Sequence, residues 1–208
     1  MQQHCVCVAD ISPMKIALIL GHPKPNSFNH AISEQAIAVL KELGHDVIVH
    51  DLYQERFDPV LPLGEENLPE EELPVEIQSH LRDFKDADGV IFVHPNWWGG
   101  PPAILRGWVD RVIRNNSCYN FTKDGVVSYV GGKIVQVFST SNTPRDVELS
   151  VYGDPIENFW KVVVFGVLGT KSFERRNFEP VVISTPEERQ GWLAEVKAIL
   201  ARRFGGNG

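Results

Sequence analysis

The sequence predicts an α/β fold, in which a parallel β-sheet carries helices on both faces. Short apolar runs of strand length alternate with longer segments of helical periodicity, which is the pattern of βαβ units. Polar and glycine-rich segments follow several of the apolar runs directly, and in a parallel sheet these positions meet at one edge. The 208 residues suit one domain. We assign residues 14–204 to it and treat residues 1–13 as a loose N-terminal extension.

The first elements follow from local patterns. Residues 14–20 form a continuous apolar run, which is typical of a buried parallel strand. Apolar residues recur at helical spacing over 31–43, and Gly44 suits the C-cap. Residues 47–49 predict a second short strand. The segment 54–76, rich in Glu and Pro, predicts an irregular acidic excursion.

The middle and the end of the domain follow the same rules. Residues 75–84 predict a helix, residues 89–93 a third buried strand, and residues 103–114 a helix that two prolines open. Residues 115–130 are expected to be a loop. The remaining elements are a strand at 133–138, a helix at 155–164, a strand at 169–178, a last helix running toward Phe204 after the capping-box pair Thr185 and Glu188, and a frayed tail at 205–208.

Composition excludes several classes of function. The net charge of -7 disfavours non-specific nucleic-acid binding. No run of eighteen apolar residues exists, so we expect no membrane insertion. The chain has three cysteines, Cys5, Cys7 and Cys118, and this low, odd number argues against a disulfide framework and favours a reducing cytoplasm. Cys5 and Cys7 lack a second ligand pair, so no metal site is expected. Cys118 is expected to be a bland or partly buried thiol without a catalytic role.

The first unusual loop, residues 21–29, joins the first strand to its helix. It reads Gly-His-Pro-Lys-Pro-Asn-Ser-Phe-Asn. Unsatisfied N–H groups at a helix N-terminus suit a phosphate, and His22, Ser27 and Asn29 can add side-chain donors. The loop is neither a dinucleotide fingerprint nor a Walker A loop. Ser27 or Asn29 can equally serve only as a helix cap, and both interpretations stay open.

The second unusual loop follows the third strand and begins His94-Pro-Asn-Trp-Trp-Gly-Gly100. Large aromatic side chains at a strand end can form the wall of a site for a flat aromatic ligand. Glycines allow the backbone to approach such a ligand closely. Trp108, on the following helix, is expected in the core, and one of Trp97 and Trp98 is expected to be mainly structural.

The third loop, Ser139-Thr-Ser-Asn-Thr-Pro144, follows the fourth strand. Its hydroxyl and backbone groups could bond the polar edge of a ring, although an ordinary polar turn explains the same residues.

Together the three loops resemble the NAD(P)H:quinone oxidoreductase family, also called the flavodoxin-2 family. The segment Pro95-Asn-Trp-Trp-Gly-Gly-Pro-Pro-Ala-Ile-Leu-Arg-Gly-Trp108 closely matches the family pattern Pro-x-x-Trp-x-x-x-Pro-Ala-x-Leu-Lys-Gly-Trp, with Arg106 for the usual lysine. The loop around His22 matches the family's phosphate loop. The likeness covers roughly residues 14–200. It implies a flavodoxin-like three-layer sandwich whose five parallel strands have the order 2-1-3-4-5.

The resemblance also implies a flavin site. The flavin phosphate would lie at His22, Ser27, Phe28 and Asn29, and the ring along Pro95, Asn96, Trp97, Trp98 and Gly99. The pyrimidine edge of the ring would meet Ser139, Thr140, Ser141 and Asn142. The cofactor expected is FMN, with FAD as the alternative.

Besides Arg106, the chain departs from the family pattern in the 139–142 loop, where the family commonly has Thr-Thr-Gly-Gly and this chain has Ser-Thr-Ser-Asn. Two further positions also differ. Tyr152 stands where the family has a histidine implicated in proton handling, in a segment that reads Tyr152-Gly-Asp154. A tyrosine can still donate a hydrogen bond to developing negative charge, so Tyr152 is the expected catalytic residue. Gly99 replaces an aromatic residue that often lies against the ring, which would open the substrate side.

The activity that the resemblance implies is hydride transfer from NAD(P)H through a bound flavin to a quinone-like acceptor. A homodimer is expected by the same likeness. Two alternatives come from other classes of protein: an ancillary subunit of a potassium-efflux system, for which the acidic stretch 65–72 would be a contact surface, and a flavodoxin that carries single electrons. A solvated charged face explains 65–72 more simply, and the short flavodoxin phosphate loop is missing.

Overall fold

The computed structural model of the protein describes residues 12–206. Five parallel strands form the central sheet in the order β2-β1-β3-β6-β7. The strands are β1 (Lys15–Leu20), β2 (Asp46–Asp51), β3 (Gly89–Pro95), β4 (Tyr119–Thr122), β5 (Gly125–Ser128), β6 (Lys133–Thr140) and β7 (Thr170–Phe178). The predicted extension, residues 1–13, lies outside the described residues except for its last two, as do the last two residues of the predicted tail.

The helices pack on both faces of this sheet. They are α1 (Phe28–Glu42), α2 (Val75–Asp86), α3 (Ala103–Val112), α4 (Arg145–Ser150), α5 (Pro155–Glu157), α6 (Phe165–Leu168) and α7 (Pro186–Phe204). A π-helical segment, Asn158–Val164, joins α5 to α6, so that residues 155–168 run as one continuous helical segment. None of the helices within 12–206 is long and apolar enough to cross a membrane.

The fold class is confirmed, with one correction: the chain forms two strands that were not expected, which changes the numbering of the later strands. Residues 115–130 were expected to be a loop, but β4 and β5 pair there as an antiparallel hairpin. The last two strands of the sheet are therefore the sixth and seventh along the chain. The order of the sheet strands among themselves is the expected one. The hairpin escaped prediction because its alternation is weak and most of its side chains are exposed.

Alternation along the strands divides the core into two layers. In β1, the side chains of Ile16 and Leu18 pack with α1 and α7, whereas Ala17 and Ile19 pack with Trp108 on the opposite face. Successive side chains of a strand point to opposite faces. Because both faces of the sheet are covered, the strands read as continuous apolar runs. Trp108 is fully buried, as predicted.

The acidic segment after β2 is not only a solvated surface. Glu65 is buried, and its carboxylate accepts hydrogen bonds from Arg111 Nε (2.8 Å) and Nη2 (2.5 Å). Arg111 lies on α3, so this bidentate pair fixes the segment to the body of the domain. The hydrogen bonds that Arg111 donates to Glu65 raise the pKa of Arg111 further above its usual range. The neighbouring carboxylates of residues 70–72 are on the surface.

Two strands extend further toward the site than the sequence indicated. β3 continues to Pro95 and β6 to Thr140, and the two strands pair in parallel through His94–Ser139 and Pro95–Thr140. Ser139 and Thr140 thus belong to a strand and not to the predicted loop. The ladder to β7 continues to Thr140 as well. This continued pairing carries the polar ends of the strands together at one edge of the sheet.

Candidate functional site

The turn from β1 to α1 prepares a binding place for an anion. Ser27 is the N-cap of α1, and its Oγ accepts a hydrogen bond from the His30 N–H at 3.4 Å. The N–H groups of Phe28 and Asn29 have no hydrogen-bond partner within residues 12–206. Free N–H groups at a helix N-terminus carry partial positive charge and suit a phosphate. Ser27 is therefore a cap, and the turn still offers donors to an anion.

His22 faces this turn as a neutral donor. Its Nδ1 accepts a hydrogen bond from the Lys24 N–H at 3.1 Å, so the ring proton lies on Nε2. Burial lowers the pKa of His22 below its ordinary value of 6.5. The neutral imidazole consequently has one N–H free to donate. Its ring centroid lies 6.1 Å from that of Trp97, which connects the first loop to the second.

Asn29 connects α1 to the end of β6. Its buried side chain donates from Nδ2 to Thr140 Oγ1 at 3.0 Å. Asn29 is therefore not the cap, and the Thr140 hydroxyl is already engaged by the protein. Because this bond joins residues 111 positions apart, the N-terminus of α1 and the carboxyl edge of the sheet are held together before any ligand is present.

The two tryptophans lie on a tight two-residue turn. Trp97 and Gly100 exchange backbone hydrogen bonds of 3.0 and 3.1 Å. The central residues, Trp98 and Gly99, have φ of 55° and 73°, which are the positive values that a type I′ turn requires. Trp97 is 43% exposed and Trp98 is fully exposed. The expectation that one of them is mainly structural is wrong, since the turn directs both away from the core.

Asn96 braces this turn from below. Its Oδ1 accepts from the Gly99 N–H at 3.0 Å, and its Nδ2 donates to Glu148 Oε1 at 3.0 Å. Its own N–H donates to the Thr140 carbonyl at 2.7 Å. These bonds fix which end of the amide faces which partner, because a carboxylate only accepts. Asn96 thereby ties the second loop to both β6 and α4.

Two cavities open at this edge of the sheet, and Asn96 lines both. We call them the first and the second cavity. The first, of about 420 Å³, contains these predicted residues: His22, Ser27, Phe28, Asn29, Pro95, Asn96, Trp97, Thr140, Ser141 and Asn142. The second, of about 650 Å³, contains these: Asn96, Trp98, Gly99 and Tyr152. Both volumes fall in the range of small-molecule sites.

Ser139 is the predicted site residue that lines neither cavity. It is fully buried, and its Oγ donates to Asn177 Oδ1 at 2.8 Å and accepts from Arg175 at 3.2 Å. Arg175 in turn pairs with Asp154 at 2.5 Å. Through Arg175 and Asp154, Ser139 therefore supports the segment that carries Tyr152. Because Ser139 is fully buried within β6, it has no access to a ligand.

His94 lies beneath the second loop as a neutral, fully buried ring. Its Nε2 accepts from Trp160 Nε1 at 2.9 Å, and its Nδ1–H donates to the Pro95 carbonyl at 2.9 Å. Burial lowers the pKa of His94 to about 4. The imidazole thus connects the end of β3 to the continuous segment 155–168.

Three charged residues of the cavities were missed from the sequence. Lys24 and Arg189 line the first cavity, and Glu148 lines the second. Lys24 stood within the loop already singled out. Arg189 comes from α7, where it donates to the Val181 carbonyl at 2.9 Å, and no local pattern marked it. Glu148 sits on the short helix α4, which was not predicted.

A separate group of side chains, His50, Glu55 and His80, lies outside both cavities, with donor atoms within 4.8 Å of one another. Such a group of side chains could suit a metal ion, but the hydrogen bonds of His80 determine which of its ring nitrogens carries the proton. Trp108 Nε1 donates to His80 Nδ1 at 3.1 Å, so the proton of the neutral His80 ring lies on Nε2. Burial lowers the pKa of His80 to about 3. Its Nε2 therefore faces Glu55 as a donor and not as a metal ligand.

Comparison with known proteins identifies the family. The Flavodoxin_2 family, described by its flavodoxin-like fold, matches residues 14–202. The chain belongs to this family. The resemblance predicted from the segment 95–108 is thereby confirmed.

Relatives of this family cover most of the chain. An uncharacterized NAD(P)H oxidoreductase of Haemophilus influenzae is 33% identical over 66% of this chain and 70% of its own length. The ribosyldihydronicotinamide dehydrogenase [quinone] of Mus musculus is 32% identical over 89% of this chain and 91% of its own. For three other curated relatives, two of them named NAD(P)H dehydrogenase [quinone] 1 and one a ribosyldihydronicotinamide dehydrogenase-like protein, the aligned part spans 43% to 61% of the relative.

A solved structure agrees with the fold. Smu.1420 from Streptococcus mutans superposes with a TM-score of 0.81 at 31% identity, covering 91% of this chain and all of that one.

Proposed function

We propose that the protein is a flavin-dependent oxidoreductase that passes hydride from NAD(P)H to a quinone or a similar acceptor. The observation that supports this most directly is the pair of adjoining cavities at Asn96. One offers free N–H donors at a helix N-terminus, and the other is bordered by an exposed indole and a tyrosine. A bound flavin would supply the redox-active ring.

The first cavity fits the phosphate end of FMN. The N–H groups of Phe28 and Asn29 and the His22 Nε2–H offer donors at the same helix N-terminus. The Ser27 hydroxyl lines the cavity beside them and bonds His30 Nδ1 at 2.9 Å. The ammonium of Lys24 adds positive charge. A phosphate accepts such bonds strongly, because they are charge-assisted. We take FMN as the cofactor, with FAD as the alternative.

The ring of the flavin would extend from the first cavity toward the second. Pro95, Trp97 and the Trp98–Gly99 turn border this path with apolar and backbone groups. On the other side, the N–H of Asn142 has no partner among the described residues, while its Oδ1 accepts from the Val182 N–H at 2.9 Å. The Asn142 N–H is therefore the donor we assign to the polar edge of the ring, with Ser141 beside it.

Tyr152 is the residue we assign to stabilising negative charge during transfer. It lines the second cavity and is 59% exposed. A phenol donates a hydrogen bond to developing negative charge without giving up its proton. Its exposure leaves the hydroxyl free to meet a ligand, because the protein does not engage it in the described residues. Tyr152 would orient an acceptor as well as polarise it.

The test is an anaerobic spectrum of the purified protein reconstituted with FMN, recorded before and after NADPH or NADH is added. We expect the bound-flavin band to bleach within the mixing time and to return when a quinone is added. Bound flavin that neither nucleotide reduces would contradict the proposal and favour an electron carrier or a regulatory subunit. Absence of flavin binding would overturn the assignment of the first cavity.

A matched pair of variants tests the second loop. Trp98→Ala should weaken flavin retention or slow reduction of the acceptor, because the indole borders the second cavity. Leu63→Ala removes an equally exposed apolar side chain outside both cavities and should change neither. Unchanged flavin content and turnover in Trp98→Ala would exclude Trp98 from the site.

We also propose that the protein acts as a homodimer. A groove of about 440 Å³ runs beside α3 and the hairpin, and Phe159 and Val163 contribute to it. Phe121 and Val163 are 68% and 57% exposed there. The helical segment 155–168 borders this groove, and its first residue, Pro155, lines the second cavity. A second copy on the groove would thus lie next to the acceptor and help to enclose it.

Light scattering after size exclusion tests the dimer. Val163→Asp should shift the measured mass toward that of the monomer, because it places a charge in the groove beside α3. Val75→Asp, at a more exposed position on α2, is the control and should leave the mass unchanged. A monomeric wild-type protein would refute the dimer and leave the proposed activity to be judged by the spectrum.

A further inference from the structure

Glu148 stands out among the buried acidic side chains of residues 12–206. Three such side chains are buried: Glu65, Glu148 and Asp154. Glu65 is paired with Arg111 and Asp154 with Arg175, both at 2.5 Å. Glu148 is 1% exposed, and no basic group of the described chain lies within 4.0 Å of its carboxylate. A buried carboxylate without a cation lowers stability through its desolvation. Proteins retain such groups mainly at functional sites.

The surroundings of Glu148 show where its charge acts. Its Oε1 accepts from Asn96 Nδ2 at 3.0 Å, which is the one hydrogen bond of this carboxylate within the described residues. The carboxylate lines the second cavity, whose other lining groups are neutral: the amide of Asn96, the Tyr152 and Thr143 hydroxyls and apolar side chains. Glu148 is thus the one charged residue in that lining as the structure describes it.

This inference rests on the proposed function and deepens it. We propose that Glu148 is the specificity-determining residue of the second cavity, and that it selects flat acceptors carrying a positive charge or an N–H donor over acceptors carrying an anionic group. A carboxylate that is itself only 1% exposed attracts a nearby cation and repels an anion more strongly than it would in water. Repulsion of the wrong partner is an effective source of selectivity.

Glu148 also has a positioning role that must be separated from its charge. Through Asn96, whose Oδ1 accepts from the Gly99 N–H, it braces the Trp98–Gly99 turn. Glu148→Gln separates the two roles, because a glutamine oxygen can still accept from Asn96 while the charge is gone. Glu71→Gln is the control, since it removes one exposed negative charge from the distant segment before α2.

Binding of two matched probes to the FMN-loaded, oxidised protein tests the proposal by calorimetry. The probes are a naphthalene bearing one trimethylammonium group and a naphthalene bearing one sulfonate. We expect the wild type and Glu71→Gln to prefer the cation by about tenfold or more, and Glu148→Gln to bring the two Kd values close to each other. In turnover, kcat/KM for a sulfonated naphthoquinone, relative to menadione, should rise in Glu148→Gln through a lower KM.

The two proposals fail in different ways. If the probes show the Glu148-dependent preference but NAD(P)H is not oxidised, the proposed activity fails and the assignment of Glu148 stands. If the protein turns over but the ratio of the two Kd values is the same in the wild type and in Glu148→Gln, the assignment of Glu148 is overturned. A wild type that prefers the sulfonate overturns it as well.

Discussion

Acid should destabilise the protein through His94, the buried imidazole beneath the second loop. The perturbation is a change of pH from 7 to 4.5, with His94→Gln as the matched variant. Glutamine can still accept a hydrogen bond from Trp160 Nε1 but does not titrate. In the folded state the pKa of His94 is about 4, whereas an unfolded chain keeps it near 6.5.

The sign and the size follow from this difference. Between pH 6.5 and 4 the unfolded chain binds a proton at His94 that the folded chain does not, so stability is fully present above pH 6.5 and falls as the pH is lowered. Relative to pH 7, His94 alone should lower the free energy of unfolding by about 1 kcal/mol at pH 5.5 and about 2 kcal/mol at pH 4.5. Other groups titrate too, so only the difference between the two proteins isolates His94.

The assay is urea denaturation of both proteins at pH 7, 5.5 and 4.5. The gap in unfolding free energy between wild type and His94→Gln should narrow or reverse by the stated amounts as the pH falls. Parallel pH dependence of the two proteins would refute the reasoning. Should the variant fail to fold, an NMR titration of the wild-type ring decides the matter, since a midpoint near 6.5 would mean that burial does not hold the imidazole neutral.

Three further predictions concern packing, charge and the first cavity. Gly107→Ala should destabilise the protein by about 1–3 kcal/mol or more in thermal or urea unfolding, because a Cβ there would clash with the Pro59 carbonyl oxygen. Gly191→Ala is the control: it has open space around it in α7 and should be neutral or stabilising by up to about 1 kcal/mol. Glu65→Ala should lower the free energy of unfolding by about 3–5 kcal/mol, because it leaves the Arg111 guanidinium buried and unpaired. Glu66→Ala, at an exposed position, should leave the free energy of unfolding almost unchanged in the same assay. Ser27→Ala should lower FMN affinity about tenfold or more in a fluorescence titration, while Thr185→Ala removes the equivalent cap of α7 and should leave that affinity unchanged.

Much of the fold could be predicted because its signals are local. Every parallel strand of the sheet is an apolar run or follows a clear boundary, and the capping box of Thr185 and Glu188 marked the start of α7. The hairpin of β4 and β5 and the short helix α4 were missed, because their sequences carry little periodicity. Strand ends were placed too early at residues 93 and 138, since pairing between His94 and Ser139 depends on a neighbouring strand.

The candidate site was predictable where a loop carried its own signature. The residues from His22 to Asn29 and from Pro95 to Gly99 lie together at the sheet edge as expected. Glu148 and Arg189 could not be found in this way, because long-range packing brings them in from separate helices. The cytoplasmic location, the homodimer and the extent of the domain stay predictions, as does the role of residues 1–13.

The turn at Trp98 and Gly99 implies a conflict between durability and activity. An L-residue with a bulky side chain pays a conformational penalty of about 1 kcal/mol at a φ of 55°, and an asparagine there would adopt the same turn with less strain. Engineering that rewards heat resistance alone would therefore favour replacing Trp98. The gain in stability would come with the loss of a fully exposed indole. Because that indole packs little against the fold, its benefit lies in its contacts with other molecules.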